Sequence, residues 1–435
     1  MLSFYFTLFF EKVKLFLRQK PLKNRKGNKK MGKLAINGGT PLFGNNEYQV
    51  MSWPPVSEST ADKLREIYLS GAWSFNSPTE QEFEKEFAAF HDAEFGILMS
   101  NGTVTLECAL EALGVGPGDE VIVPDLTWIA TAMSVRYVGA TCVFADIEKD
   151  SCCLSPEAFE RAITPRTKAV IPVHLYSGMA DLEKILAIAE KHGIAVIEDC
   201  AHMHGGKWNG KGCGSWGAIG SFSFQQSKAM SAGEAGICIT NDQKLAERLY
   251  RAKHIGYSRY DKQGQAGTPP PQGLLCHNYR GLALQAQILR DQLADFPALN
   301  QKHNAFSALL EKELSSIPGV RLQSKGRLAT RQGYYAQGVI FDGDGFEKIN
   351  SEKIRAALSA EGIKVINTTY GSVRNHLLFN MSPEDYRIAP EGCPNAEELV
   401  QRMMVILHYG MTDQENAVRF AAAVRKLAEN KTELM

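Results

Sequence analysis

Residues 95–125 read FGILMSNGTVTLECALEALGVGPGDEVIVPD. The apolar run FGILM predicts a strand, and a polar turn separates it from TLECALEALGV, whose apolar residues recur at helical spacing. A glycine stop ends this helix pattern, and the β-branched run in DEVIVPD predicts a second strand. A strand, a helix and a strand in this order form the repeating unit of a parallel α/β sheet.

The same alternation continues towards residue 255. The segments that follow in order are ATAMSVRYVGA, TCVFADI, SPEAFERAI, KAVIPVHLY, DLEKILAIAEKHG and IAVIEDC. The strand segments are nearly continuous apolar runs, which is typical of strands covered on both faces. We therefore predict an α/β fold with a mostly parallel central sheet and helices on both faces.

The pattern changes in the last third of the chain. A Pro/Gly loop at 267–273 precedes LALQAQILRDQLADF, which predicts a long helix leading to a second domain. KHNAFSALLEKELSSI predicts a further helix, and YYAQGVIF predicts an isolated strand. We therefore divide the chain into a large domain, 31–295, and a smaller C-terminal α+β domain, 296–435.

Residues 1–30 differ in composition from the rest. They hold nine Lys/Arg and one acidic residue, and they begin with an apolar run too short to span a bilayer as a helix. We expect a disordered extension or a misassigned start, with a basic membrane-surface anchor as the alternative. The whole chain has a formal net charge of zero, so nucleic acid is not an expected partner. Apart from that anchor alternative, we expect no membrane partner.

The nine cysteines are an odd number and lie in apolar contexts. This usage indicates reduced thiols in a cytoplasmic protein rather than a disulfide framework. The segment CAHMH at 200–204 raises the question of a metal site. No second Cys/His cluster completes a tetrahedral ligand set, so we expect no metal.

The ends of the predicted strands carry the polar residues of interest. Ligands of open α/β sheets bind outside the carboxyl ends of the strands, so these residues should converge on one crevice. They are Ser100–Thr103, Asp125 with Trp128, His174, Asp199 with His202, and Ser223 followed by Lys228.

Four features of this crevice suggest a ligand. Gly102 and Thr103 begin a helix, whose N-terminal amides can hold a phosphate. Asp199 could keep a ring nitrogen protonated, Lys228 could form a Schiff base once its pKa is lowered, and Trp128 could stack on an aromatic ring. Taken singly, each has an ordinary alternative: a turn-capping Asp, a surface lysine, a core Trp. Together they match the requirements of pyridoxal 5′-phosphate (PLP).

A competing motif lies at residues 212–217. GCGSWG matches the G-x-G-x-x-G pattern of dinucleotide-binding dehydrogenases. An Asn-Gly turn precedes it, and no strand leads through it into a helix, which that fingerprint requires. We interpret it as a glycine-rich turn that approaches the crevice.

Many segments from about residue 34 to the C-terminus resemble, in the right order, the DegT/DnrJ/StrS family of PLP-dependent sugar aminotransferases, of the aspartate aminotransferase fold (fold type I). The resembling segments are INGGTPLF, WPPVSE, SNGTVTLECALEALGVGPGDEVIVPDLTWIATAMSV, VHLYSGMADL, IEDCAHMHGG, FSFQQSK and HNYRGLALQA. The resemblance implies that Lys228 and Asp199 are catalytic, as the Schiff-base lysine and the partner of the pyridine nitrogen. The cofactor-binding residues it implies are Gly102, Thr103, Trp128, Asp199, His202, Ser223, Lys228 and Asn278.

In this resemblance Trp128 stacks on the ring, and His202 lies near the ring hydroxyl. Asn278 reaches the phosphate of a neighbouring subunit, which implies a homodimer with shared active sites. Three positions depart from the family's usual pattern. Ala235 interrupts a Gly-Glu-Gly-Gly run, the GLALQAQ helix lacks an acidic residue, and Ser77 replaces a glycine where substrate specificity is expected.

The resemblance predicts transfer of an amino group from glutamate or glutamine to a ketone. The segments FSFQQSK, TTYGSVRNHLLF and CPNAEELVQRMMVILHYGM are similar to the subgroup that aminates cyclitol ketones such as scyllo-inosose. A nucleotide-linked ketosugar is the other acceptor considered. Two alternatives keep the cofactor and change the function: a PLP-dependent sugar dehydratase, and a non-catalytic PLP-binding regulatory protein.

Overall fold

The computed structural model describes residues 32–44, 46–262 and 264–435, so the predicted extension at 1–30 lies outside the described residues. The helices are α1 (Glu58–Ser70), α2 (Pro78–Phe90), α3 (Gly102–Leu113), α4 (Ala130–Tyr137), α5 (Pro156–Ala162), α6 (Leu182–His192), α7 (Gln243–Lys253), α8 (Ala283–Leu314), α9 (Ser351–Ala360), α10 (Pro394–Val400) and α11 (Gln414–Glu429). The strands are β1 (Phe95–Met99), β2 (Glu120–Pro124), β3 (Thr141–Ala145), β4 (Thr167–Val170), β5 (Ala195–Asp199), β6 (Lys207–Trp208), β7 (Lys211–Gly212), β8 (Ile219–Ser223), β9 (Gly236–Thr240), β10 (Val320–Leu322), β11 (Ala329–Arg331), β12 (Ala336–Phe341), β13 (Ile366–Thr368), β14 (Tyr386–Ile388) and β15 (Met403–Leu407).

The largest sheet has eight strands in the order β1-β9-β8-β5-β4-β2-β3-β14. The run from β8 to β14 is parallel, and β9 pairs antiparallel with both β1 and β8. The predicted mostly parallel α/β sheet is therefore confirmed. Its edge strand β14 comes from the predicted C-terminal domain, so that part of the chain completes the main sheet.

Local sequence explains the first βαβ unit. Strand β2 is buried along its whole length, as the apolar run Val121–Val123 requires. Helix α3 begins where the Asn101 side chain accepts hydrogen bonds from the amides of Thr103 and Val104. It ends at Gly114, whose φ of 75° is a left-handed conformation that glycine adopts without steric cost. The carboxyl end of β1 is thereby joined to a helix N-terminus.

A second sheet has four antiparallel strands in the order β10-β12-β15-β13. It packs in a separate hydrophobic cluster with residues of α8, α9 and α11. The two predicted helices at 282–296 and 302–317 are one helix, α8, which continues through Pro297. The predicted domain boundary at 295 falls inside this helix, and the division into two domains stays a prediction.

A third, three-stranded sheet pairs β11 with the β6–β7 hairpin. None of the helices in the described part of the chain is both long enough and apolar enough to cross a membrane.

Candidate active site

A cavity of about 1020 Å³ opens beyond the carboxyl ends of the main-sheet strands. Segments that follow β1, β2, β5 and β8 line it, as the position of ligands in open α/β sheets predicts. Seven of the eight residues proposed for the cofactor surround this cavity: Gly102, Thr103, Trp128, Asp199, His202, Ser223 and Lys228.

The N-terminus of α3 forms one wall of the cavity. A Cβ atom added to Gly102 would lie 2.5 Å from the Cβ of Ser223, so only glycine allows this close approach. Asn101 already caps the amides of Thr103 and Val104 through its side-chain oxygen. The helix N-terminus still favours an anion beside the Ser223 hydroxyl, because the backbone dipoles of the helix add up to a partial positive charge there.

Asp199 lies at the end of β5 with only 5% of its surface exposed. Its carboxylate accepts a hydrogen bond from the Ala201 amide at 3.1 Å and another from the Thr131 hydroxyl at 2.9 Å. Burial raises the pKa of Asp199, and these two hydrogen bonds and the charge of Lys228 oppose the increase. A cationic ligand group beside this carboxylate would compensate its buried charge.

Lys228 is buried as well, with 9% of its surface exposed. Burial lowers the pKa of its amine to about 8, and the negative charge of Asp199 opposes that decrease. The Lys228 Nζ lies 4.7 Å from the centre of the Tyr335 ring. This amine therefore loses its proton far more readily than a surface lysine, which is the condition for a nucleophilic lysine.

His202 packs face to face with Tyr335, with ring centres 4.0 Å apart. The Nδ1 atom of His202 accepts a hydrogen bond from the Tyr176 amide, so Nε2 carries the proton of the neutral ring. Burial and the nearby Lys228 lower the pKa of His202 well below its ordinary value. His202 therefore offers a neutral N–H donor.

Trp128 lies at the cavity mouth and is 42% exposed. Its ring contacts Tyr370 at 5.5 Å and His376 at 5.6 Å between ring centres. The Tyr370 amide in turn donates to the buried Tyr176 hydroxyl, which anchors this loop beside the cavity. The mouth is thus lined by aromatic rings.

Ser100, His174 and Asp125 were expected in the crevice and do not line it. His174 lies beneath the cavity, where its Nε2 is 3.3 Å from Glu198 and its Nδ1 accepts from the Ala180 amide. Asp125 is held by the Ser372 hydroxyl and by the guanidinium of Arg374. The side chains of His174 and Asp125 are fully buried in these structural pairs, so the expectation that they face the ligand was wrong.

Asn278 also lies outside the cavity, and it is exposed between partly buried neighbours. Ser77 is buried as the N-cap of α2, where its hydroxyl accepts from the Glu80 amide, and it does not line the cavity either. The GCGSWG turn does not reach the crevice as expected. Its amides at Gly214, Trp216 and Gly217 donate to the carboxylate of Glu198.

One group in the described residues could geometrically hold a metal ion: His174, Glu198 and Cys200. Glu198 already accepts three amide hydrogen bonds, and burial raises the pKa of the Cys200 thiol well above its ordinary value. A neutral thiol beside a saturated carboxylate is a poor ligand set.

Several residues that shape the cavity were not predicted from the sequence. Thr131 fixes the Asp199 carboxylate, and it follows Trp128 by three residues in the segment TWIATAMSV. Tyr335 and Tyr370 arrive from the C-terminal third of the chain. The short spacing between Trp128 and Thr131 was a readable signal. The two tyrosines lie in YYAQGVIF and TTYGSVRNHLLF, and neither segment has a pattern that marks its tyrosine as a cavity residue.

Known proteins resemble this chain over nearly its full length. The DegT/DnrJ/EryC1/StrS aminotransferase family profile matches residues 55–425. An L-glutamine:2-deoxy-scyllo-inosose aminotransferase of Micromonospora echinospora is 35% identical over 419 residues, which cover 92% of this chain and 99% of the relative. A protein of the same name from Streptomyces kanamyceticus is 34% identical over 425 residues, covering 92% and 98%.

Among solved structures, 3-amino-5-hydroxybenzoic acid synthase superposes with a TM-score of 0.76 at 28% identity and covers 87% of this chain and 99% of its own. This likeness confirms the predicted fold class. The chain belongs to the DegT/DnrJ/EryC1/StrS aminotransferase family.

Proposed function

We propose that this family member is a PLP-dependent aminotransferase that transfers the amino group of glutamine or glutamate to the keto group of a cyclitol. The observation that carries the proposal is the buried amine of Lys228 beside the buried carboxylate of Asp199, in a cavity walled by a helix N-terminus. The names of the two cyclitol aminotransferases at 34–35% identity support the acceptor class.

The residues present fit the cofactor. The phosphate would bind the amides at the start of α3, including that of Gly102, and the Ser223 hydroxyl. The close approach of Gly102 to Ser223 makes this phosphate site narrow. Asp199 would hold the proton on the ring nitrogen, and Trp128 would cover one face of the ring. Bound PLP supplies an electron-withdrawing ring that stabilises negative charge at the substrate Cα.

Lys228 acts as the nucleophile and as the group that moves the proton. With a pKa of about 8, roughly one amine in ten lacks its proton at pH 7. With PLP bound, the free amine would be the group that attaches to the cofactor's carbonyl carbon with release of water, and after the donor amine replaces it, it would take and return the Cα proton. The Tyr335 ring beneath Nζ limits the directions that the amine can take.

The charge of the cavity favours a neutral acceptor. Among its described lining residues, the acidic ones are Glu107, Asp199 and Glu234, and the one cation is Lys228. A nucleotide-linked sugar brings a diphosphate, and beyond the helix N-terminus that would hold the cofactor's phosphate the described lining offers this diphosphate no cation other than Lys228. A cyclitol ketone brings hydroxyl groups, which the tyrosine hydroxyls and the Glu234 carboxylate can bind. The lining therefore supports the cyclitol over the nucleotide-linked ketosugar.

We also propose a homodimer in the cytoplasm. Asn278 is exposed and lies between the exposed apolar residues Leu275 and Leu282, and the backbone next to Leu282 bonds to exposed Trp73. Such a patch suits a second copy that would receive Asn278 at its phosphate seat. All nine cysteines are unpaired, which fits a reducing compartment. Sedimentation velocity should give the mass of two chains.

The test is a matched panel of acceptors with each donor, read by product mass. We expect amination of the cyclitol ketone with glutamine or glutamate, and loss of product in Lys228→Ala but not in the exposed control Lys184→Ala. A higher kcat/KM for a nucleotide-linked ketosugar would reject the cyclitol. Ketone consumed without nitrogen gain would indicate a dehydratase, and bound cofactor without any reaction would indicate a regulatory protein.

A further inference from the structure

The turn that carries Lys228 is held by side chains from outside the main sheet. Within the turn, the Lys228 amide donates to the Gln225 carbonyl at 2.8 Å. The carbonyl groups of Gln226 and Ser227 accept hydrogen bonds from side chains outside the turn. The Trp53 indole N–H donates to Gln226 at 2.9 Å, and the His408 Nε2 lies 3.1 Å from the carbonyl oxygen of Ser227.

His408 can serve only as a donor in this contact. A carbonyl oxygen accepts, so Nε2 must carry the proton of the ring. His408 is fully buried, and burial lowers its pKa to about 4, so the ring stays neutral at physiological pH. The carbonyl of Ser227, the residue before Lys228, therefore fixes the tautomer of His408.

Trp53 and His408 also support each other. Their rings meet edge to face, with centres 4.4 Å apart. Trp53 lies in the segment before α1, whereas His408 follows β15 of the four-stranded sheet. Two residues far apart in the chain thus contact each other and bind the carbonyls of Gln226 and Ser227, just before Lys228.

We propose that His408, assisted by Trp53, is a positioning residue that fixes the main chain at Ser227 and thereby aims the Lys228 amine for reaction. Neither residue lines the cavity, so each acts through the turn rather than on substrate. The proposal rests on the proposed function, because it concerns the aim of the same lysine. A displacement of about 1 Å at a reacting group can cost roughly a hundredfold in rate.

The test compares His408→Phe with two matched variants of the full-length holoenzyme. His408→Gln keeps an N–H donor at similar reach. His91→Phe removes an equally buried ring that makes the same kind of bond to a carbonyl outside the turn, from Nδ1 to Cys213 at 2.9 Å. The readouts are kcat and KM for the amino donor, thermal stability, and the rate at which cofactor-stripped protein takes up PLP, followed by absorbance.

We expect His408→Phe to lower kcat and the PLP uptake rate by about 10- to 100-fold, with KM nearly unchanged. His408→Gln should recover most of both, and His91→Phe should lose stability without either loss. Equal kcat and uptake rates in His408→Phe and His91→Phe would overturn the proposal. A wild-type protein that takes up PLP yet aminates no ketone would instead refute the proposed function, and the uptake rates would still test His408.

Discussion

Replacing Lys228 with methionine should stabilise the cofactor-free protein at neutral pH. Burial lowers the pKa of this amine from 10.5 to about 8. Each pKa unit corresponds to about 1.4 kcal/mol, so keeping the charged amine folded costs about 3 kcal/mol. Contact of the ammonium with the Tyr335 ring offsets about 1–2 kcal/mol of this cost. We therefore expect the Lys228→Met variant to gain about 1–3 kcal/mol in the free energy of unfolding.

The gain should depend on pH in a defined direction. Below about pH 8 the amine of Lys228 is charged in both the folded and the unfolded chain, so the folded chain bears the full free-energy cost of the buried charge. Between pH 8 and 10.5 the folded chain has released this proton and the unfolded chain still binds it, so wild-type stability rises with pH. The advantage of the variant should shrink through the same interval.

Urea unfolding of both cofactor-free proteins at several pH values measures this difference. Lys253→Met is the matched control, since Lys253 is equally buried but bonds to Glu80 and Glu84. Burial lowers the pKa of Lys253, and these two carboxylates raise it by more. That variant should lose about 3–5 kcal/mol, because it leaves the buried carboxylate of Glu80 without its cation. If Lys228→Met were also destabilising at pH 7, the inference that burial destabilises the charged form of this amine would be refuted.

Three further changes test other parts of the account. Asp199→Asn should retain bound PLP but lower kcat by about 100-fold or more, because an amide cannot hold the proton on the ring nitrogen; stopped-flow measurement of the donor half-reaction checks it. Gly102→Ala should weaken PLP binding by at least about tenfold in a cofactor titration, since its Cβ would collide with Ser223. Glu361→Ala should cost about 3–5 kcal/mol in urea unfolding, because it strands the buried ammonium of Lys426; unchanged stability would contradict the pairing.

The sequence predicted the alternating part of the fold because each strand and helix there has its own local signature. Helix α8 was harder: its apolar pattern breaks at Pro297, a residue that normally ends a helix, yet the helix continues through it. Strand β14 is three residues long, too short to show any period, and its pairing with β3 depends on a contact more than two hundred residues away in the chain.

The candidate site also contains residues that could be predicted from the sequence and residues that could not. Gly102, Asp199 and Lys228 stand at strand ends, so their convergence follows from the topology of a parallel sheet. Tyr335 reaches the cavity from its place just before strand β12 of the four-stranded sheet. No local sequence pattern predicts this long-range contact with the cavity. His174 was misplaced because its partner Glu198, one position before Asp199, faces away from the cavity.

Borohydride reduction followed by peptide mass mapping tests the central claim most directly. The account predicts a phosphopyridoxyl mass on the peptide that contains Lys228. It predicts that glutamine or glutamate, added before reduction, removes this label, and that the cyclitol ketone restores it. Label on a different lysine, or label on Lys228 that no amino donor removes, would contradict the account.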